Sequence, residues 1–258
     1  MRAKADRNHL IASAAATLEI LELLGVAREP LSLSVIVERC GKPKGTVHRM
    51  LATLVNTGYA TQDPSTSQYS VTLKLWRLGI GAVAGLDIVK TAKPWLEKLV
   101  LATDETVHLA CFDPSGGVIY ISKIESLRSI RVQTQIGQLS PSWCTATGRA
   151  LLAFNPSVAE KVLAQPLVRR TPKTVIDPKR IRTLLAEIAT RGYSITRSEN
   201  HPEMGGIAAP VRDHTGAVVA SCGVAIPVFR MTKQLIDQCI PHVLNAATRM
   251  STDLGFRP

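Results

Sequence analysis

The sequence predicts an α+β chain in two parts, a small helical head followed by a larger domain built on an antiparallel sheet. Two observations carry this reading. Up to about residue 102 apolar residues recur mostly at helical spacing, whereas from Thr106 they alternate as in strands. Residues 32–58, SLSVIVERCGKPKGTVHRMLATLVNTG, read as a short helix, a glycine turn, and a second helix with one apolar and one basic face.

The head is justified element by element. Residues 10–24 predict a first helix with Ile11, Ala14, Leu18 and Leu21 on one side, stopping at Gly25. Gly41 suits the left-handed residue that ends the next helix. Pro43 suits the first position of the one after it, where a missing N–H costs nothing. In that helix Val47, Met50, Leu51 and Leu54 fall at i, i+3, i+4 and i+7 and form a buried stripe. The opposite side carries Gly45, Arg49, Ala52 and Asn56, flanked by Thr46, His48 and Thr53. Arg39, Lys42, Lys44 and Arg49 place four positive charges over eleven residues with no acid, the right sign for phosphate. Beyond Gly58, residues 59–63 and 68–72 look like two strands around the turn Pro64-Ser-Thr-Ser. Three helices and a hairpin make a winged helix-turn-helix, whose second motif helix enters a DNA major groove. Lys42, Lys44, Gly45, Thr46, His48, Arg49 and Thr53 are its candidate DNA contacts. The alternative is a small helical domain that carries a basic face by chance; the rival function is a sensor or enzyme domain whose helical head serves protein contact. A protein-binding head has no need of an acid-free basic helix.

Composition narrows the class. The 258 residues suffice for two domains, each with a core of its own. Net charge is +11, yet residues 1–90 hold eleven Lys and Arg against seven Asp and Glu, and residues 91–258 twenty against thirteen. The basic character is therefore not concentrated in the head, and the local cluster says more than the total. An aromatic content of 4% argues against stacking platforms for single strands. Five scattered cysteines without a Cys-x-x-Cys indicate reduced thiols in a cytoplasmic protein, with no disulfide framework and no zinc site. Met1 to Arg7 is basic and Leu10 to Leu18 mildly apolar, but Glu19 and Glu22 continue the helical pattern, so a signal peptide is not expected. The longest uncharged apolar run, Gly216 to Phe229, is shorter than the roughly 18–20 residues that cross a bilayer, and no membrane partner is expected.

From Leu73 to Leu101 the pattern is helical, broken by Gly79, Gly81, Gly85 and Pro94, with a second helix from Thr91 to Ala102. Residues 106–112 and 118–124 flank the turn Asp113-Pro-Ser-Gly-Gly as a hairpin. Residues 130–135 alternate as a further, half-buried strand. Helices are predicted over 145–155, 157–165 and 178–191, the last capped by Asp177 before Pro178. Strands follow over 193–196, 207–212 and 218–225, and a helix over 232–250 closes the domain, with the helices packed to one side of the sheet. No Gly-x-Ser-x-Gly, phosphate loop or His-Glu-x-x-His occurs, so no enzyme signature competes. Cys144 at a helix start is better read as a buried thiol than as a nucleophile, and scattered histidines do not form a metal site. No cofactor is expected.

Over nearly its whole length the chain resembles the IclR family of bacterial transcription regulators. The resemblance is carried by LSLSVIVERCGKPKGTVHRMLATLVNTGY, ETVHLACFDPSGGVIYISKIES, WCTATGRALLAF and RGYSITRSENHPEMGGIAAPVRDHTGAVVASCGVAIPVFRMT, in family order and spacing. It implies a winged helix-turn-helix over 1–75 that also mediates dimerisation, linker helices over 76–102, and a GAF-like effector-binding domain over 103–258. It further implies an operator in double-stranded DNA, a small-molecule effector, and a homodimer or homotetramer. The implied pocket comprises Trp143, Cys144, Thr145, Ala146, Thr147 and Gly148 at a helix start, with Thr196, Met204, Gly206, Gly223 and Ala225. Thr145 can cap that helix, leaving the amides of Ala146, Thr147 and Gly148 for a carboxylate. Many members have an acid at the place of Thr196, a cysteine at that of Gly206, and serines at those of Gly223 and Ala225. Without those polar groups a roomier, more apolar pocket is expected, with Trp143 and Met204 as walls, suited to an apolar or aromatic acid.

Overall fold

A computed structural model of the chain describes residues 11–84 and 87–257, which form two compact units divided between Gly85 and Leu86. The first unit contains α1 (Ala12–Val26), α2 (Leu33–Cys40), α3 (Lys44–Asn56), the hairpin β1 (Ala60–Gln62) and β2 (Tyr69–Val71), and α4 (Leu73–Ala84). Ser32 accepts from Val35 N to cap α2, and Gly41 ends it at φ 61°, the left-handed conformation that turns the chain toward α3. Pro43 lies one place before α3, and its carbonyl accepts from the amides of Thr46 and Val47. The stripe Val47, Met50, Leu51 and Leu54 is buried as expected, packed with Ile20, Leu24, Ile36 and Tyr69. In the wing, the Asp63 carboxylate takes the amides of Ser65 and Thr66 and closes the turn between β1 and β2.

Two expectations for this unit fail. The core face of α1 is Ala16, Ile20 and Leu24, while Ile11 and Leu18 are 69% and 57% exposed. Apolar residues ring most of this helix, so its spacing fits more than one face, and packing against α2 and α3 selects the one that is buried. The break expected at Gly79 and Gly81 is also absent, because α4 continues to Ala84. A glycine lowers helix propensity by about 1 kcal/mol without ending a helix. Gly85 and the N-terminal segment before Ile11 lie outside the described residues.

The second unit contains α5 (Asp87–Thr103), β3 (Thr106–Phe112), β4 (Val118–Ile124), β5 (Leu139–Ser140), α6 (Ala146–Leu152), α7 (Pro156–Leu163), α8 (Pro178–Arg191), β6 (Ser194–Arg197), β7 (Met204–Arg212), β8 (Val218–Pro227) and α9 (Lys233–Asp253). Its six strands lie antiparallel in the order β5-β4-β3-β8-β7-β6. The helix expected from Thr91 begins at Asp87 and includes Pro94. One face of the sheet, including Val107, Leu109, Ile207, Cys222 and Val224, packs on α5 and α9.

The opposite face is covered too, so the helices do not lie on one side as expected. Ala110, Val118 and Tyr120 pack with Leu151, and Ala208 packs with Ala146 and Ala150 of α6. Strands buried on both faces carry apolar or small residues at nearly every position, as the β8 sequence VVASCGVAIP does. The strand expected over 130–135 is not formed. The outer edge of β4 pairs instead with β5, through Val118↔Ser140 and Ile119↔Leu139. Residues 130–135 are held by side chains and loop carbonyls: Arg131 bonds Glu125, and the Thr134 carbonyl accepts from Lys123 Nζ.

Candidate functional site

The first unit presents an exposed basic surface on α3. Lys44, Gly45, His48, Arg49 and Thr53 are exposed and Thr46 is half-buried, all on the side away from the core stripe. Among the described residues neither Lys44 nor Arg49 makes an ion pair, so both charges are free to meet phosphate or a base edge. Lys42 differs: Glu19 Oε2 holds its ammonium at 2.9 Å and raises its pKa. Between α2, α3 and the wing runs a groove of about 570 Å³ whose lining includes Ser34, Lys44, His48, Gln62 and Thr66. The helix is held by its stripe, the turn by Gly41, and the polar face is left over for contact.

The second unit encloses a small cavity under α6, on the sheet face opposite α5 and α9. Nine of the expected effector residues line it: Cys144, Thr145, Ala146, Thr147, Thr196, Met204, Gly206, Gly223 and Ala225. The strand register brings the last members together, since Gly206 pairs with both Thr196 and Ala225. Trp143 and Gly148 do not line it. Trp143 packs with the α7–α8 cluster and lines a separate cleft of about 300 Å³. Gly148 lies against the turn before α6, where a Cβ would stand 2.4 Å from Ser142 Cα.

Sequence reasoning missed His108, Tyr120, Thr134, Asn200 and His201, which also line the cavity. The available signal was a histidine inside the otherwise apolar strand β3. His108 lies directly opposite Gly223 in the register, so it projects on the same face as the expected site. Its Nε2 meets Thr134 Oγ1 at 2.5 Å, and its ring stands 4.7 Å from that of Tyr120. Burial first, and Lys123 second, push its pKa down to about 3, so the ring is neutral at ordinary pH.

The cavity is not as roomy as expected. Its volume is about 50 Å³, against roughly 300–1,000 Å³ for drug-sized sites. The glycines make no free space because neighbours fill it. A Cβ on Gly223 would lie 2.4 Å from Ile207 O, and one on Gly206 would lie 2.9 Å from Val224 O and 3.4 Å from Ala146 Cβ. The small residues thus serve close packing of α6 and the strands. At the start of α6, Thr145 Oγ1 donates to Pro141 O and accepts from Gly148 N at 3.2 Å, so the cap consumes one of the three amides expected to be free. The Thr147 hydroxyl is buried without a hydrogen-bond partner of good geometry.

Arg149 ties the site together from beneath. It is 2% exposed, donates from Nε to Trp143 O at 2.7 Å and from NH1 to Glu199 Oε1 at 2.8 Å. Its charge is consumed by this pairing. Burial pushes the Cys144 thiol up to about 12, so it does not provide a thiolate nucleophile.

An exposed basic helix in a helix-turn-helix, in one chain with a domain enclosing a small cavity, is the arrangement of a ligand-responsive DNA-binding regulator. Known proteins show the same arrangement. The profile of the bacterial transcriptional regulator IclR C-terminal domain matches residues 80–252, and that of the IclR helix-turn-helix domain matches residues 13–64. The chain belongs to the IclR family. It is 30% identical over 239 residues to the HTH-type transcriptional regulator KdgR of Escherichia coli (strain K12), covering 92% of this chain and 90% of that protein. The crystal structure of an IclR transcriptional regulator from Alicyclobacillus acidocaldarius matches with a TM-score of 0.83 at 26% identity, covering 96% of this chain and all of the other. An IclR homologue from Microbacterium hydrocarbonoxydans, solved in complex with 4-hydroxybenzoate, matches with a TM-score of 0.78 at 26% identity, covering 94% and 98%. The chain is accordingly a transcription regulator with a ligand-binding C-terminal domain, not an enzyme. Among the described residues no helix is long and apolar enough to cross a membrane.

Proposed function

We propose that residues 1–75 read a two-fold operator, that residues 76–102 connect them to the effector domain, and that residues 103–258 bind a compound with a carboxylate or carbonyl head and an apolar or aromatic body. The observation that carries the DNA reading is the acid-free exposed face of α3. Lys44 and Thr46 anchor the backbone while Arg49 reaches a base edge or phosphate, with His48 and Thr53 beside it. Gel shifts with genomic fragments test this. Retarded fragments whose binding weakens steeply with salt are expected, and salt-insensitive binding or none would overturn it.

The effector head is received where Thr145, Ala146 and Thr147 meet the sheet. The cavity as closed holds little more than that head, so a ring enters only as the lining opens. The 4-hydroxybenzoate bound by the Microbacterium relative supports an aromatic body. Calorimetry with 4-hydroxybenzoate, glyoxylate and pyruvate decides it: tightest binding of the two small oxoacids would overturn the choice of body.

The same reading makes the chain a homodimer or homotetramer acting in the cytoplasm, where its DNA is. A single winged domain buries too little surface for high specificity. Light scattering that finds only monomer at micromolar concentration would contradict this.

A further inference from the structure

An anion entering the cavity meets no fixed positive charge. None of the residues lining it is Lys, Arg, Asp or Glu. Arg149 is committed to Glu199 and to Trp143 O. Lys123, next to His108 on β4, gives its ammonium to Glu125 Oε1 and to Thr134 O, both at 2.7 Å. A carboxylate brought from water into such surroundings without a counter-charge is strongly disfavoured. What the lining does supply is titratable nitrogen. His201 is exposed, and its Nδ1 accepts from Glu203 N at 3.3 Å. His108 is buried; Thr134 Oγ1 occupies its Nε2, and its Nδ1 has no hydrogen bond among the described residues.

We propose that His108 receives the anionic head of the effector and takes up one proton from solvent as the ligand binds. The inference rests on the cavity being the effector site. The titratable groups around the ring are Lys123 and Tyr120 of β4, Cys144 before α6, and His201 of the 198–203 segment; β8 places only Gly223 opposite. Burial raises the Tyr120 phenol and the Cys144 thiol, so both stay protonated and neutral. Lys123 opposes a charge on His108, but Glu125 offsets part of its field. A carboxylate against the ring adds an opposite charge at contact distance in a low dielectric, which favours imidazolium. Thr134 then accepts from the Nε2–H of the charged ring, and Nδ1–H is left to donate to the ligand. The result is a regulator whose sensitivity to an acid rises as pH falls, because binding and proton uptake are one event.

Calorimetry on the full-length protein tests this. Pyruvate, glyoxylate and 4-hydroxybenzoate are each titrated in phosphate and in Tris, and the difference in heat counts the protons taken up. One proton per bound acid is expected, with affinity about tenfold tighter for each pH unit lowered between 7.5 and 6. His108→Asn should bring the count to zero and flatten the pH profile. Thr134→Val, outside the sheet, should lower the count while leaving thermal unfolding unchanged, so a poorly folding His108 variant does not decide the matter alone. Binding by the wild type without proton uptake, or uptake that survives His108→Asn in a folded protein, overturns the inference and leaves the effector site standing. If none of the acids binds at any pH, the acid-effector reading fails and the inference falls with it.

Discussion

Replacing Gly148 by alanine tests whether the approach of the Ser142 turn to α6 shapes the effector site. In an unconstrained helix this change would stabilise by about 1 kcal/mol. Here the added Cβ would stand 2.4 Å from both Ser142 Cα and Ser142 O, and 2.6 Å from Thr145 Oγ1. Two of those atoms are backbone, so the turn itself must move. Overpacking of this kind costs about 1–3 kcal/mol, and loss of the Thr145 cap a further 0.5–2 or so. After the propensity gain, a net destabilisation of about 2 kcal/mol is expected, which lowers Tm by roughly 4–8 °C for a domain of this size. Thermal unfolding followed by circular dichroism reads the shift. Effector affinity should fall in the same variant although Gly148 does not line the cavity, because Cys144 to Thr147 are displaced. Gly45→Ala is the control, since a Cβ there would face open space, and it should stabilise the head by up to about 1 kcal/mol. An unchanged or raised Tm for Gly148→Ala would refute the reasoning.

Arg49→Ala should weaken operator binding several-fold or more, in line with the roughly 1–3 kcal/mol of a bidentate base contact, while leaving thermal unfolding unchanged; equal operator affinity in gel shifts would remove Arg49 from the interface. Leu51 is fully buried in the head, so Leu51→Ala should cost about 2–5 kcal/mol in urea titrations, and a much smaller loss would mean that the stripe is not the core. Glu199→Ala strands the buried Arg149 guanidinium and should destabilise the second unit by about 3–5 kcal/mol, with Glu199→Gln milder; two variants of wild-type stability would show the pair to be dispensable. Ala225→Leu places three more carbons in a cavity of about 50 Å³ and should reduce effector affinity in calorimetry more than it reduces stability, whereas undiminished affinity would place the ligand elsewhere.

Features that depend on neighbours along the chain were legible from the residues alone. Gly41 in its left-handed turn, the Thr145 and Asp177 caps, and the hairpin around Asp113 follow from local backbone preferences and short-range hydrogen bonds. The α3 stripe was legible because its apolar residues occupy one face only, which also assigned the basic face by elimination. The family motifs placed nine lining residues of the cavity, although their periodicity alone carries no such information.

Tertiary structure decided the rest. Helix α1 has apolar side chains on several sides, and only packing with α2 and α3 chose Ala16, Ile20 and Leu24. Residues 130–135 alternate like a strand but are not paired as one, because pairing requires a partner edge and β5 takes that of β4. The glycines at 206 and 223 suggested space, whereas β-sheet neighbours and α6 close over them. Trp143 leaves the cavity for the α7–α8 cluster, and His108 and Asn200 enter it from segments some ninety residues apart in the numbering. Periodicity reports which way a side chain points from its own backbone. Which surface then approaches it, and how closely, is set by long-range packing that no local pattern encodes.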